Sequence, residues 1–324
     1  MSLPIRFEDA LAARERIRPF LPPTPLRSYP VLDDEIGAGI RVLVKHENHQ
    51  PTNAFKIRNA FSTLTLLSAE QKRRGVVTAT RGNHGLGVAL AGRSLGMPVT
   101  ICVPLGNNPE KNLAIRGYGA DLIEQGRDYD ETLAVTKALA RDRGLHLIHP
   151  SNDPAIVAGA ATMSIEILEE APDVEAIVVA VGGGSQAVGA LVAASGLAPH
   201  VEVYGVQAAG APAIYEGWRA GRPVTLENAA TFADGLATRS CYELTFEALR
   251  TGLRDFVVAG EAELADAVRL VLRTTHNLAE GAGAASFAGL RLLRERLAGR
   301  KVAVILSGSN IDAETLRQVI NGNL

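Results

Sequence analysis

From Gly75 onward short β-branched runs alternate with helix-compatible stretches, and this alternation constrains the fold more than any other feature of the chain. Strands are predicted over 76–79, 99–103, 121–124 and 145–148, with helices over 86–95, 109–116 and 130–142 between them. A second set follows, with strands over 176–181, 201–207 and 302–306 and helices over 156–169, 186–194, 261–274 and 283–296. Strands separated by helices of this length must be joined by crossovers, so they form βαβ units and parallel sheets. The expectation is an α/β protein with two open parallel-sheet domains. Upstream, 7–18 reads as a helix broken by Pro22-Pro23-Thr24-Pro25, and 40–45 reads as a strand. One short helix, 313–320, follows the last strand.

The 324 residues suffice for two domains of ordinary size. A hydrophobic fraction of 47% with 21% charged residues is usual for a soluble globular enzyme. A net charge of −2 supplies no electrostatic case for nucleic acid or an anionic membrane as partner. No apolar run is long enough to span a bilayer and no leader pattern opens the chain, so the cytoplasm is the expected compartment. Cys102 and Cys241 stand far apart without metal-ligand spacing, which argues against a disulfide framework and a zinc site. The pairs His46/His49 and His146/His149 have no further ligand nearby, so packing or surface roles are expected and no metal is assigned.

Three loops and a lysine carry the chemistry. After the strand over 40–45, Pro51-Thr52-Asn53 is turn chemistry, with Thr52 or Asn53 as a helix N-cap candidate, and helical sequence runs over 54–67. Lys56 then falls in the first turn. The positive end of the helix dipole disfavours its ammonium form by about 0.3–1 kcal/mol. With desolvation added, the amine becomes a nucleophile toward an aldehyde; the plain alternative is an exposed surface lysine.

Thr78-Ala79-Thr80-Arg81-Gly82-Asn83-His84-Gly85 joins a strand to a helix of small residues, and its backbone N–H groups can cradle a carboxylate. Gly182-Gly183-Gly184-Ser185-Gln186-Ala187 follows an apolar strand and can cradle a phosphate. It also fits the weak dinucleotide pattern Gly-x-Gly-x-x-Ala, but the acid required about twenty positions on is replaced by Gln207. No Gly-Lys-Ser/Thr follows, which excludes a Walker A loop. Leu306-Ser307-Gly308-Ser309-Asn310 closes the last strand, where Ser307 alone could simply end it.

Glu47-Asn48-His49-Gln50-Pro51-Thr52-Asn53-Ala54-Phe55-Lys56-Ile57-Arg58-Asn59-Ala60 resembles the lysine motif of the threonine/serine dehydratase family, the β-family of pyridoxal-phosphate enzymes. The resemblance spans nearly the whole chain, and Gly182–Ser185, Ser307–Asn310, Phe232–Ala237 and Glu280–Ala285 each match a family stretch. It implies the tryptophan-synthase-β-like arrangement, fold type II, with a discontinuous large domain (1–72 plus 151–324) and a small inserted one (73–150). It also implies pyridoxal 5′-phosphate as cofactor, held covalently by Lys56 with Phe55 beside it. Gly182, Gly183, Gly184, Ser185 and Gln186 would take the phosphate, Asn83 the 3-oxygen and Ser307 the pyridine nitrogen, with Glu280 near the ring. Thr80, Arg81, Gly82, Asn83 and His84 would bind the substrate carboxylate. Asp234 would lie beside the cofactor, without a metal.

The function implied is dehydration of a 3-hydroxy-L-amino acid, by default L-threonine or L-serine, to a 2-oxo acid and ammonia. A neutral Ser307 at the pyridine nitrogen does not enforce its protonation, which favours prompt β-elimination over transamination. The chain departs from the family pattern at Asn53, Ala54, Asn59, Arg81, Ser185 and Ser309. The departures around Lys56 and Arg81 leave phenylserine, 3-hydroxyaspartate and hydroxylated diamino acids open as substrates. A serine-type racemase is the second reading, and Arg81 opposes it, since an arginine does not deliver a proton at neutral pH. A non-catalytic nucleotide-binding protein is the third, and it leaves Lys56 and Ser307 unexplained. The family further implies a homodimer, and the allosteric enzymes' regulatory domain after the last strand is not expected.

Overall fold

The computed structural model describes residues 2–127 and 129–324. Among these residues the strands are β1 (Leu26–Ser28), β2 (Arg41–His46), β3 (Val76–Ala79), β4 (Val99–Val103), β5 (Asp121–Glu124), β6 (His146–Leu147), β7 (Ala176–Ala180), β8 (Glu202–Ala208), β9 (Asp255–Ala259) and β10 (Lys301–Leu306). They form a six-stranded sheet in the order β1-β2-β10-β7-β8-β9 and a four-stranded sheet in the order β5-β4-β3-β6. Every pairing is parallel except β1 with β2. The two parallel sheets expected from the sequence are present, with one antiparallel strand, β1, added at an edge of the larger. All strands of the smaller sheet come from residues 76–147, and the larger sheet is built from chain on both sides of them.

The larger sheet is buried on both faces because its strands are apolar at consecutive positions. Ile177, Val179, Val203, Ala303 and Ile305 face one core, shared with helices Pro154–Glu170 and Ser185–Leu197. Ala176, Val178, Val206, Val302 and Val304 face the other, shared with helices Glu261–Thr275 and Gly281–Leu292. In the smaller sheet Val76, Val99 and Ile101 join a third core with helices Asn83–Ser94 and Lys56–Leu64, while helix Tyr129–Arg143 packs on β3 and β4.

Lys56 opens its helix, and the N-cap is Phe55, which makes no side-chain cap. The expected caps are used otherwise: Thr52 Oγ1 donates to Ala54 O at 3.3 Å, and Asn53 adopts φ +55°. The helix start is fixed instead by the end of β10. Phe55 N donates to Ser307 O at 3.0 Å, and Ala54 bridges Gly308. Two stretches distant in sequence are thereby locked side by side.

Candidate active site

The loops that leave the C-terminal ends of β2, β3, β7 and β10 meet between the two sheets. Open α/β sheets place ligands at these ends. A cavity of about 420 Å³ lies there. Phe55, Lys56, Thr80, Arg81, Gly82, Asn83, His84, Gly182, Gly183, Gly184, Ser185, Gln186, Glu280 and Ser307 all line it.

Lys56 is half-buried, with its Nζ 4.9 Å from the centre of the Phe55 ring. Burial pulls its pKa down to about 8. The same helix carries Arg58, fully enclosed in a charge cluster: it donates to Glu47 at 2.8 and 2.9 Å and to Glu166 at 2.6 and 2.8 Å. Lys45 Nζ reaches Glu166 at 2.6 Å. Burial opposes ionisation of Glu47, yet the Arg58 and Lys45 cations hold its pKa below the usual carboxylate value. The cluster balances two cations with two carboxylates and anchors the helix that presents Lys56.

In the loop after β3, Thr80 Oγ1 accepts from Gly82 N at 3.0 Å and Gly85 N at 3.3 Å, closing the turn. Asn83 Nδ2 donates to Glu280, and Asn83 Oδ1 accepts from Asn310 Nδ2 at 2.7 Å. Burial pushes the Glu280 carboxyl up, against the pull of Lys111 and Asn83. Arg81 is exposed at the cavity and makes no ion pair or hydrogen bond among the described residues.

After β7, Gly184 adopts φ +90°, where a side chain is strained, and helix Ser185–Leu197 begins without a side-chain cap. A Cβ at Gly183 would sit 2.1 Å from Ser151 Oγ, so only glycine fits beneath that hydroxyl. The first-turn N–H groups of this helix thus lack a protein side-chain partner at the cavity edge.

Several cavity residues escaped the sequence reading. Lys111 pairs with Asp234 at 2.7 Å, so Asp234 faces a cation of its own chain. Tyr129, His149, Ser151 and Tyr242 also line the space. His149, expected in a packing role, accepts from the N–H groups of Ser151 (3.1 Å) and Asn152 (2.8 Å) and packs edge-on against Tyr242. None of these has a local sequence signal, because each comes from a separate element. Among the described residues no cluster of three or more His, Cys, Asp or Glu is placed to hold a metal. No helix there is long and apolar enough to cross a membrane.

Residues 17–308 match the family described as pyridoxal-phosphate dependent enzyme, and the chain belongs to that family. It is 38% identical over 320 residues to an L-threonine ammonia-lyase of Thermotoga maritima, covering 99% of this chain and 79% of the relative. It is 32% identical over 316 residues to an L-threo-3-hydroxyaspartate ammonia-lyase of Saccharomyces cerevisiae, covering 98% of this chain and 96% of the relative. In structure it is similar to the processed form of threonine deaminase isoform 2 from Solanum lycopersicum, with a TM-score of 0.92 at 30% identity, covering 97% of this chain and 86% of the other. The fold is accordingly fold type II, and pyridoxal phosphate is the cofactor. The cavity suits it: a desolvated amine, an uncapped helix N-terminus behind three glycines, and a neutral hydroxyl lie around one space.

Proposed function

We propose that this chain is an ammonia-lyase that converts a 3-hydroxy-L-amino acid, by default L-threonine or L-serine, to a 2-oxo acid and ammonia by β-elimination. The observation that carries the reading is that Lys56, its pKa drawn down to about 8, shares one cavity with Ser307, a neutral hydroxyl at the end of β10. Pyridoxal phosphate, when bound, supplies an aldehyde for amines and a ring that accepts the electrons released at Cα.

The residues divide the remaining work. Lys56 would hold the aldehyde carbon, beside Phe55, and its released amine would take the α-proton. The N–H groups of Gly183, Gly184, Ser185 and Gln186, with the turn at Gly182, would hold the phosphate. Ser307 would meet the ring nitrogen and Asn83 the 3-oxygen, with Glu280 orienting Asn83 by the hydrogen bond between them. The turn Thr80–Gly82 and the start of the helix at Asn83 and His84 would bind the substrate carboxylate, with Arg81 as an added cation.

A second reading is an acidic substrate, and the unpaired Arg81 at the cavity favours it. The yeast relative, whose name specifies 3-hydroxyaspartate, supports testing it. Release of 2-oxo acid is measured from L-threonine, L-serine, L-threo-phenylserine and L-threo-3-hydroxyaspartate with pyridoxal phosphate present. Turnover of threonine or serine is expected; turnover of hydroxyaspartate alone would install the second reading, and no turnover of any of the four would remove both. We also propose that the segments 1–72 plus 151–324 form a discontinuous large domain and 73–150 a small inserted one, and that the enzyme is a cytoplasmic homodimer. A single-protomer mass in solution would remove the dimer.

A further inference from the structure

His84 is buried at the start of helix Asn83–Ser94, where it lines the cavity. Its hydrogen bonds fix its tautomer. Thr78 Oγ1 donates its one hydrogen to Ile148 O at 2.7 Å, so it can only accept from His84 Nε2, 3.0 Å away. Nε2 therefore carries the ring proton and Nδ1 presents a bare lone pair. That Nδ1 is buried without any partner in the described structure. An unsatisfied buried acceptor costs about 1–3 kcal/mol, which marks it as awaiting a donor.

The carboxylate of a substrate cannot be that donor, because it only accepts. Lys56 can: it shares the cavity, and its ammonium is near enough to oppose protonation of His84, which burial already suppresses. Of the other ionisable groups that line the space, Lys111 is engaged with Asp234, Glu280 with Asn83 and His149 with two backbone amides; Arg81, Tyr129 and Tyr242 line it too, but the groups that act on the charge of His84 are Lys56 and His149. We propose that His84 Nδ1 is the acceptor that holds the Lys56 side chain once it is free of the cofactor and protonated. His84 is thus a positioning residue: it gives the released ammonium one fixed place beside the reacting carbon. A protonated imidazole would repel Lys56, and burial disfavours that state.

This inference rests on Lys56 as the residue that carries the proton, and its test is independent of turnover. In the full-length chain freed of cofactor, the lysines are ¹³C-dimethylated and titrated by NMR, with Lys56 assigned through Lys56→Ala. His84→Leu should lower the Lys56 midpoint by roughly one pH unit, about 1.4 kcal/mol of lost hydrogen bonding. His84→Asn, which restores an oxygen acceptor, should recover most of that shift. Thr78→Val, which releases the tautomer, should lower the midpoint in the same direction while leaving the core volume unchanged. Cofactor uptake by each variant checks its folding. A Lys56 midpoint that stays put or rises in both His84→Leu and Thr78→Val overturns the proposal. Failure of the ammonia-lyase reading would appear elsewhere, as absent turnover or as turnover retained by Lys56→Ala.

Discussion

Lys111 Nζ lies 2.7 Å from Asp234 Oδ2, joining helix Pro109–Gly117, beside the smaller sheet, to the Asp234–Leu236 turn against the larger. Burial disfavours the Lys111 ammonium, but Glu280 and Asp234 more than offset it. Lys111 is in turn the main cation restraining the upward shift of buried Glu280.

Replacing Lys111 with methionine should therefore act on chemistry more than on stability. The Asp234 side chain is 44% exposed, so the ion pair itself contributes about 1 kcal/mol or less. Glu280 loses its cation, its pKa rises further, and its ionised form disappears at a higher pH than in the wild type. The acid limb of kcat/KM should move to higher pH, with Tm changed by only a few degrees. An unmoved acid limb would show that Glu280 ionisation is irrelevant to turnover.

Lys56 yields a prediction about pH. Because burial lowers its pKa to about 8, the free-base fraction should rise roughly tenfold per pH unit below that value and level off above it. Capture of pyridoxal phosphate by the cofactor-free chain, followed by absorbance, should trace that curve. A rate still climbing at pH 10 would mean that the amine is solvated. Lys56→Ala should lose turnover by at least about 10³-fold and lose borohydride-fixable colour, with its fold intact.

How much of this was legible before the structure varies with burial. β3, β4 and β5 appear at their predicted bounds, since apolar or β-branched runs between helices leave few alternatives. β1 was missed because it is three residues long, with exposed Arg27 and Ser28, and is defined by its partner β2. β9 was missed because its partly exposed Val257 and Val258 follow Asp255, with no clean alternation. In the cavity, the lysine and both glycine-bearing loops were readable because each is a contiguous motif. Lys111, Tyr129, Ser151 and Tyr242 were not, because only the packing of separate elements brings them together. The N-cap was misread for the same reason: Phe55 is fixed by Ser307 across the chain, a tertiary bond that outweighs the local preference of Thr52 and Asn53.

The cluster behind Lys56 predicts a large stability effect. Arg58 and Glu47 side chains are 2% and 0% exposed, and Glu166 is 11% exposed. Arg58→Leu leaves two buried carboxylates with only Lys45 between them, and should cost about 3–5 kcal/mol in denaturant unfolding. The pH dependence has a defined sign. Glu47 has a folded-state pKa below its ordinary 4.5, so its contribution is complete above that value and is lost as pH falls through the depressed one. The wild type should lose stability on that acid side more steeply than Arg58→Leu does. Parallel acid limbs would mean that Glu47 does not depend on Arg58.

Arg81 separates binding from chemistry. It stands exposed at the cavity with no partner among the described residues, next to the turn that Thr80 closes. If it holds a substrate carboxylate equally in ground and transition states, Arg81→Ala should raise KM about tenfold and leave kcat within about twofold. Arg81→Lys, which keeps the charge but not the planar fork, should fall between the two. With an acidic substrate the loss should be larger than with threonine, because a second carboxylate adds to the anionic charge that the arginine meets. The KM values for both substrates are therefore measured on the same variants. Equal losses would assign Arg81 to the α-carboxylate, a selective loss for the acidic substrate would assign it to the side chain, and an unchanged KM for both would place it outside the site.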